Sequence, residues 1–183
     1  MEKIDLQCLK DKIIENSKVY LRLLRKDDLE SFWEISQDRS HWKHFTYNLS
    51  DRETLEKWVE GVLKDYEIND RVPFTIIDKE SGKIVGSTSV LNFSDEDKNV
   101  EIASTWLGNE FKGKGLIQTS NKLVMNCCFD DLKVERIDFK VDVLNITAKK
   151  SLLKISGVQE NNEFTDDQNV FYSIYKKDFR LNA

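Results

Sequence analysis

The fold is decided by NVEIASTWLGNEFKGKGLIQTSNKLVMNCCF, residues Asn99 to Phe129. Val100, Ile102 and Trp106 fall at even positions, with Glu101, Ala103 and Thr105 between them, so the stretch opens as a half-buried strand. The pattern breaks at Gly108-Asn109 and passes through Phe111-Lys112-Gly113-Lys114-Gly115. From Leu116 the spacing becomes helical, with Leu123, Val124, Cys127 and Cys128 three and four residues apart. A strand, a glycine loop carrying two lysines and a helix start is the pattern of an anion site; a glycine hairpin with two solvated lysines is the other reading. The first-turn amides have no intrahelical acceptor, and the helix dipole favours negative charge there. Glycine lets those amides approach a phosphate with no side chain in the way.

GNEFKGKG, Gly108 to Gly115, is one residue away from the nucleotide-binding pattern G-x-x-x-x-G-K-[ST]. That pattern ends on a hydroxyl that ligates magnesium, and here the position is Gly115. The repeated strand–helix units of such a domain are also missing. An ATP-hydrolysing chain is therefore a near miss.

A different likeness covers nearly the whole chain from Val19. Gly113-Lys114-Gly115 after Trp106-Leu107, then Thr119 and Lys122, ERIDFKVDVLN (Glu135 to Asn145), SLLKISG (Ser151 to Gly157) and VFYSIYKKDF (Val170 to Phe179) resemble the GCN5-related N-acetyltransferases. The branch it looks most like acetylates ribosomal-protein N-termini and small amines. The resemblance implies an acyl-CoA N-acyltransferase fold, with acetyl-CoA as co-substrate and no metal. It implies cofactor contacts at Trp106, Leu107, Lys112, Gly113, Lys114, Gly115, Leu116, Ile117, Gln118 and Thr119, and further along at Asn145 and Lys150. Two positions depart from the family pattern. Glu110 replaces the usual Gln or Arg three residues before the first loop glycine, and Leu152 stands where many members carry a tyrosine that protonates the departing thiolate. Ser151 or solvent is left for that role. These departures keep a non-catalytic acyl-CoA-binding module open as the alternative.

Acyl transfer to an amine needs the amine unprotonated. A lysine-like amine has a pKa of about 10.4, so at neutral pH a base must take its proton. Glu101, flanked by apolar strand residues, is the candidate, and the family often places a base there. HWKHFTYNL, residues 41 to 49, holds His41 and His44 three apart, but no third ligand follows at metal-binding spacing. The two histidines read as a polar rim around Trp42, Phe45 and Tyr47. In the family this segment lines the acceptor pocket; three core aromatics is the other reading.

Composition sets the remaining limits. A chain of 183 residues, 39% apolar and 33% charged, suits one domain with a real core. Its net charge of −5 argues against a nucleic-acid partner. The apolar runs are far shorter than a membrane span, and MEKIDLQCLKDK lacks a signal-peptide core, so a cytoplasmic location without a membrane partner is expected. The acceptor is a small-molecule amine or a protein N-terminus, and a homodimer stays open. Cys8, Cys127 and Cys128 fit neither a disulfide framework nor a metal site, and the last two read as core.

Along the chain, residues 1 to 18 are expected as an arm turning into a strand over Val19–Leu23. Asp27 with Glu30 and Ser50 with Glu53 look like capping boxes for two helices. The second of these carries a stripe of Leu55, Trp58, Val59, Val62, Leu63 and Tyr66. Pro73–Asp78 and Lys83–Phe93 read as a hairpin, Arg136–Val141 as a strand and Asn145–Ile155 as a helix. Val158–Phe164 and Val170–Tyr175 read as a closing strand pair around Thr165–Asn169. The order predicts an α+β fold with a mixed, mainly antiparallel central sheet flanked by helices.

Overall fold

The computed structural model describes residues 4–10, 12–155, 157–164 and 166–181. Eight strands form one sheet: β1 (Ile14–Glu15), β2 (Val19–Leu23), β3 (Arg71–Asp78), β4 (Ile84–Ser94), β5 (Asn99–Leu107), β6 (Arg136–Asp142), β7 (Gln159–Asn161) and β8 (Asn169–Tyr175). Their order across the sheet is β1-β2-β3-β4-β5-β6-β8-β7, and β5–β6 is the parallel pair among antiparallel neighbours. The helices are α1 (Gln7–Lys10), α2 (Leu29–Ile35), α3 (Arg52–Glu67), α4 (Leu116–Asp130), α5 (Ile146–Leu153) and α6 (Lys176–Leu181). Mixed α+β architecture with a mostly antiparallel sheet is what the pattern predicted. The expected arm contains α1, whose Leu9 is fully buried, and β1, which pairs Ile14 with Leu21.

The sheet separates two cores. One gathers Val100, Ile102 and Leu107 of β5 with Val124, Met125 and Cys128 of α4. The other, on the α2 and α3 side, gathers Phe32, Trp42, Leu55, Trp58, Val59, Val62 and Trp106. The placing of Trp106 corrects the sequence reading. Strict alternation would send it to the same face as Val100 and Ile102. Instead Ser87 of β4 pairs with Trp106 while Ser89 pairs with Ala103, so β5 carries one extra residue, and Ser104 sits at φ 53°. This β-bulge flips every later side chain to the other face: Trp106 joins the aromatic core and Leu107 the α4 core.

Helix starts also differ in detail. Asp51, not Ser50, caps α3, accepting from the Thr54 amide at 2.8 Å. Asp27 caps nothing; its neighbour Asp28 is buried and held by both terminal nitrogens of Arg22 (2.9 and 2.6 Å), by Thr75 Oγ1 (2.6 Å) and by the Arg25 amide (2.9 Å). A carboxylate with four donors serves better as an internal tie between β2, β3 and the start of α2 than as a solvated cap. α5 ends at Leu153, two residues short of Ile155, and β7 is shorter than predicted. Ser156, just past the expected helix, and Thr165, in the expected closing loop, lie outside the described residues.

Candidate active site

β5 and β6 stay paired for three residues only, Asn99–Glu101 against Arg136–Asp138. Among the described residues β5 then runs on to Leu107 and β6 to Asp142 without pairing with each other, each still held by its outer neighbour, so the sheet forks after Glu101. The bulge at Ser104 bends β5 just beyond the fork. A fork in a sheet exposes backbone hydrogen-bonding groups on its inner edges, and an extended polar ligand can satisfy them.

The glycine loop closes the far end of β5. Residues Asn109–Phe111 make a 3-10 turn, Gly113 lies at φ 78°, and Gly115 at φ 77° is the N-cap of α4. A Cβ built at Gly113 or Gly115 meets nothing within 4 Å, so neither is glycine for want of internal room. Both hold left-handed backbone beside open space at a helix N-terminus. The amides of Leu116, Ile117 and Gln118 have no intrahelical acceptor there. That cradle fits a pyrophosphate held by main-chain donors, as a coenzyme A site requires.

The predicted cofactor residues separate by what their side chains do. Trp106, Leu107 and Leu116 are buried in the two cores and can offer only backbone. Lys112 folds away from the cradle: its Nζ lies 2.6 Å from His41 Nδ1 and bonds Asn109 Oδ1. Burial lowers its proton affinity, and burial with the nearby Lys112 charge drives His41 down to about 4. Lys114 Nζ sits 5.5 Å from the centroid of the Phe111 ring. Ile117 and Thr119 are half-buried in α4, and Lys150 is exposed. Gln118 Nε2 donates to Ser151 Oγ at 2.9 Å, joining α4 to α5. Asn145 caps α5 by accepting from the Ala148 amide at 3.0 Å. Glu110 is exposed.

Glu101 occupies the last paired position of the fork, on the face opposite Val100 and Ile102. Burial raises its proton affinity, while Asn92 Nδ2 donates to its Oε2 at 2.7 Å. The segment between α2 and α3 belongs to this face. His44 Nδ1 contacts Asp142 Oδ2 at 2.9 Å, reaching the end of β6, and the Trp42 ring packs edge-on against Trp106 of β5 at 5.1 Å. The segment thus bridges both arms of the fork. Of its aromatics, Trp42 is a core residue whose Nε1 donates to the Ser36 carbonyl at 2.8 Å, so its predicted place in an acceptor pocket gives way to packing. Phe45 and Tyr47 are only half-buried and stack at 5.5 Å. His41 meets Trp42 edge to face, with ring centroids 4.6 Å apart. Asn92 and Asp138 were missed by the sequence reading; an asparagine inside the LNF of a strand was the available sign of a break in β4.

All three cysteines are free thiols, and burial pushes Cys127 up to about 11 and Cys128 well above the ordinary thiol value. None is a thiolate nucleophile.

A forked β5–β6 pair, a carboxylate at the fork and a glycine cradle at a helix N-terminus thus lie on and just beyond β5. The chain belongs to the GNAT acetyltransferase domain family, whose model matches residues 18–157. It is 24% identical over 181 residues to YdaF of Bacillus subtilis (strain 168), provisionally named a ribosomal N-acetyltransferase, covering 90% of this chain and 94% of that protein. Among solved structures it superposes on a GCN5-related N-acetyltransferase from Brucella melitensis with a TM-score of 0.82, at 18% identity over 93% of this chain and 81% of the other. It also matches Mycobacterium smegmatis RimJ in complex with CoA-disulfide, with a TM-score of 0.74 at 17% identity, covering 91% and 88%. YdaF and RimJ lie in the branch that the sequence resemblance indicated. Among the described residues no helix is long and apolar enough to cross a membrane.

Proposed function

We propose that the chain transfers an acetyl group from acetyl-CoA to a primary amine, a protein N-terminus or a small amine, directly within a ternary complex. The carrying observation is the position of Glu101: a carboxylate of raised proton affinity at the point where β5 leaves β6, with the glycine cradle at the end of the same strand. Family membership supports acetyl transfer, and the name of YdaF favours a protein N-terminus as acceptor.

In this reading the Glu101 carboxylate accepts a proton from the acceptor ammonium, directly or through water. The freed amine nitrogen forms the new bond to the acetyl carbon and gives up its second proton, the carbon–sulfur bond breaks, and the thiolate takes up a proton. Main-chain amides at the N-terminus of α4 hold the pyrophosphate, while Asn145 and its helix border the remainder of the cofactor. Phe45 and Tyr47 line the acceptor side. No protein thiol takes part, in keeping with the buried, protonated cysteines.

The test is a screen for coenzyme A release across small amines, polyamines and peptides with ribosomal-protein N-termini. Thiol release with one acceptor class, and the matching acetylated product by mass spectrometry, supports the reading. Tight acetyl-CoA binding with no thiol released by any amine would leave the binding module in its place.

A further inference from the structure

We propose that Asn92 on β4 and Asp138 on β6 are positioning residues for Glu101, aiming its carboxylate and setting when it carries charge from the strands on either side. The inference rests on Glu101 as the base.

Glu101 has two cross-strand partners, Leu91 on β4 and Asp138 on β6. Just after Leu91 the β4–β5 register breaks, and the next pair is Ser94 with Asn99. Asn92 falls in this break at φ 53°, a left-handed conformation that asparagine tolerates better than most residues. The break turns its amide toward β5, where Nδ2 meets Glu101 Oε2 at 2.7 Å. A donor to a carboxylate favours the charged form and fixes its rotamer.

On the other side Asp138 is 7% exposed and acts as an acceptor throughout. Ser173 Oγ donates to it at 2.5 Å, Asn99 Nδ2 at 2.8 Å and Arg136 Nε at 3.1 Å. Partners in a parallel ladder project from the same face of strands about 4.8 Å apart. A carboxylate held ready with three donors in that place opposes charge on Glu101. The other charges that Glu101 feels are Lys140, two residues along β6, and Arg71 on β3, both favouring its ionised form. Asn92 and Asp138 therefore pull in opposite directions.

The opposition supplies the test. In the whole protein without cofactor, the carboxyl carbon of Glu101 is titrated by 13C NMR, its signal assigned by its loss in Glu101→Gln. The pH profile of kcat/KM is recorded alongside. Asn92→Gly keeps the left-handed backbone and removes the donor; it should raise the Glu101 midpoint and the acid limb by about half a pH unit or more. Asp138→Asn should lower both by a similar amount. Midpoints unchanged in Asn92→Gly, or moving the same way in both variants, overturn the proposal. Should Asp138→Asn fail to fold, Asn92→Gly decides, because its side chain is exposed and backs no core. Full turnover in Glu101→Gln would remove the base reading separately, whatever the titration shows.

Discussion

Gln118 Nε2 donates to Ser151 Oγ at 2.9 Å, which leaves the Ser151 hydroxyl proton free to be donated elsewhere. Leu152, at the family's tyrosine position, is 6% exposed and packs in the α4 core, so it supplies no proton. If Ser151 protonates the departing thiolate, Ser151→Ala should lower kcat by roughly a hundredfold, with Ser151→Thr retaining most of it. The loss should shrink with an acetyl thioester of a more acidic thiol, which leaves without help. Equal loss for both thioesters would make Ser151 a structural partner of Gln118.

Cofactor affinity should depend on the two left-handed glycines. Gly113→Leu or Gly115→Leu puts a side chain into the open cradle and strains a backbone at φ 78° or 77°. Acetyl-CoA binding by calorimetry should weaken more than tenfold, about 1.4 kcal/mol or more. Thermal unfolding run in parallel separates this from misfolding. ATP with magnesium should bind poorly to the unaltered protein, since Gly115 offers the metal no hydroxyl.

The strand–loop–helix unit was legible because period and punctuation change within a few residues: period two through Ile102, glycines from 108, helical spacing after 116. Trp106 shows where such reading fails. A bulge is a cross-strand event, and only the mismatch between Ser87–Ser89 and Ala103–Trp106 reveals the extra residue that sends Trp106 to the other face. The same holds for Asp138 and Asn92, which matter through neighbours distant in sequence. Asp27 and Ser50 were each one residue from the acid that carries the contacts, because a cap pattern tolerates a shift that geometry does not.

The Asp28 tie should be visible as pH-dependent stability. Burial alone would raise its proton affinity, but the Arg22 bidentate pair, Thr75 and the Arg25 amide outweigh that and lower it. A lowered folded value means that the charged form adds stability above the unfolded value of about 3.9, and that this is lost as pH falls through the folded value. Asp28→Ala leaves Arg22 without its partner and should cost about 3 kcal/mol at pH 7 in urea unfolding. The gap to the unaltered protein should narrow on acidification below about pH 4. A constant gap would assign the loss to packing instead.

Glu101 should show the opposite linkage. Its folded proton affinity is raised, first by burial and also by Asp138, so the folded state holds this proton more tightly than the unfolded chain. Its favourable contribution is complete below the unfolded value of about 4.3 and disappears as pH rises through the folded value. Glu101→Gln removes the cost of a buried charge, and should raise Tm at pH 7 while changing it little at pH 4. The same variant should cut turnover by roughly a hundredfold at neutral pH, since glutamine cannot accept the acceptor's proton. Acetyl-CoA affinity should hold, because it rests on the α4 amides. The turnover loss should diminish as pH approaches the acceptor's own pKa, where free amine no longer needs a base. A variant more stable at neutral pH and slower only there identifies a carboxylate held charged for catalysis at the expense of stability. Loss of turnover together with a lower Tm at every pH would instead make Glu101 a packing residue of β5.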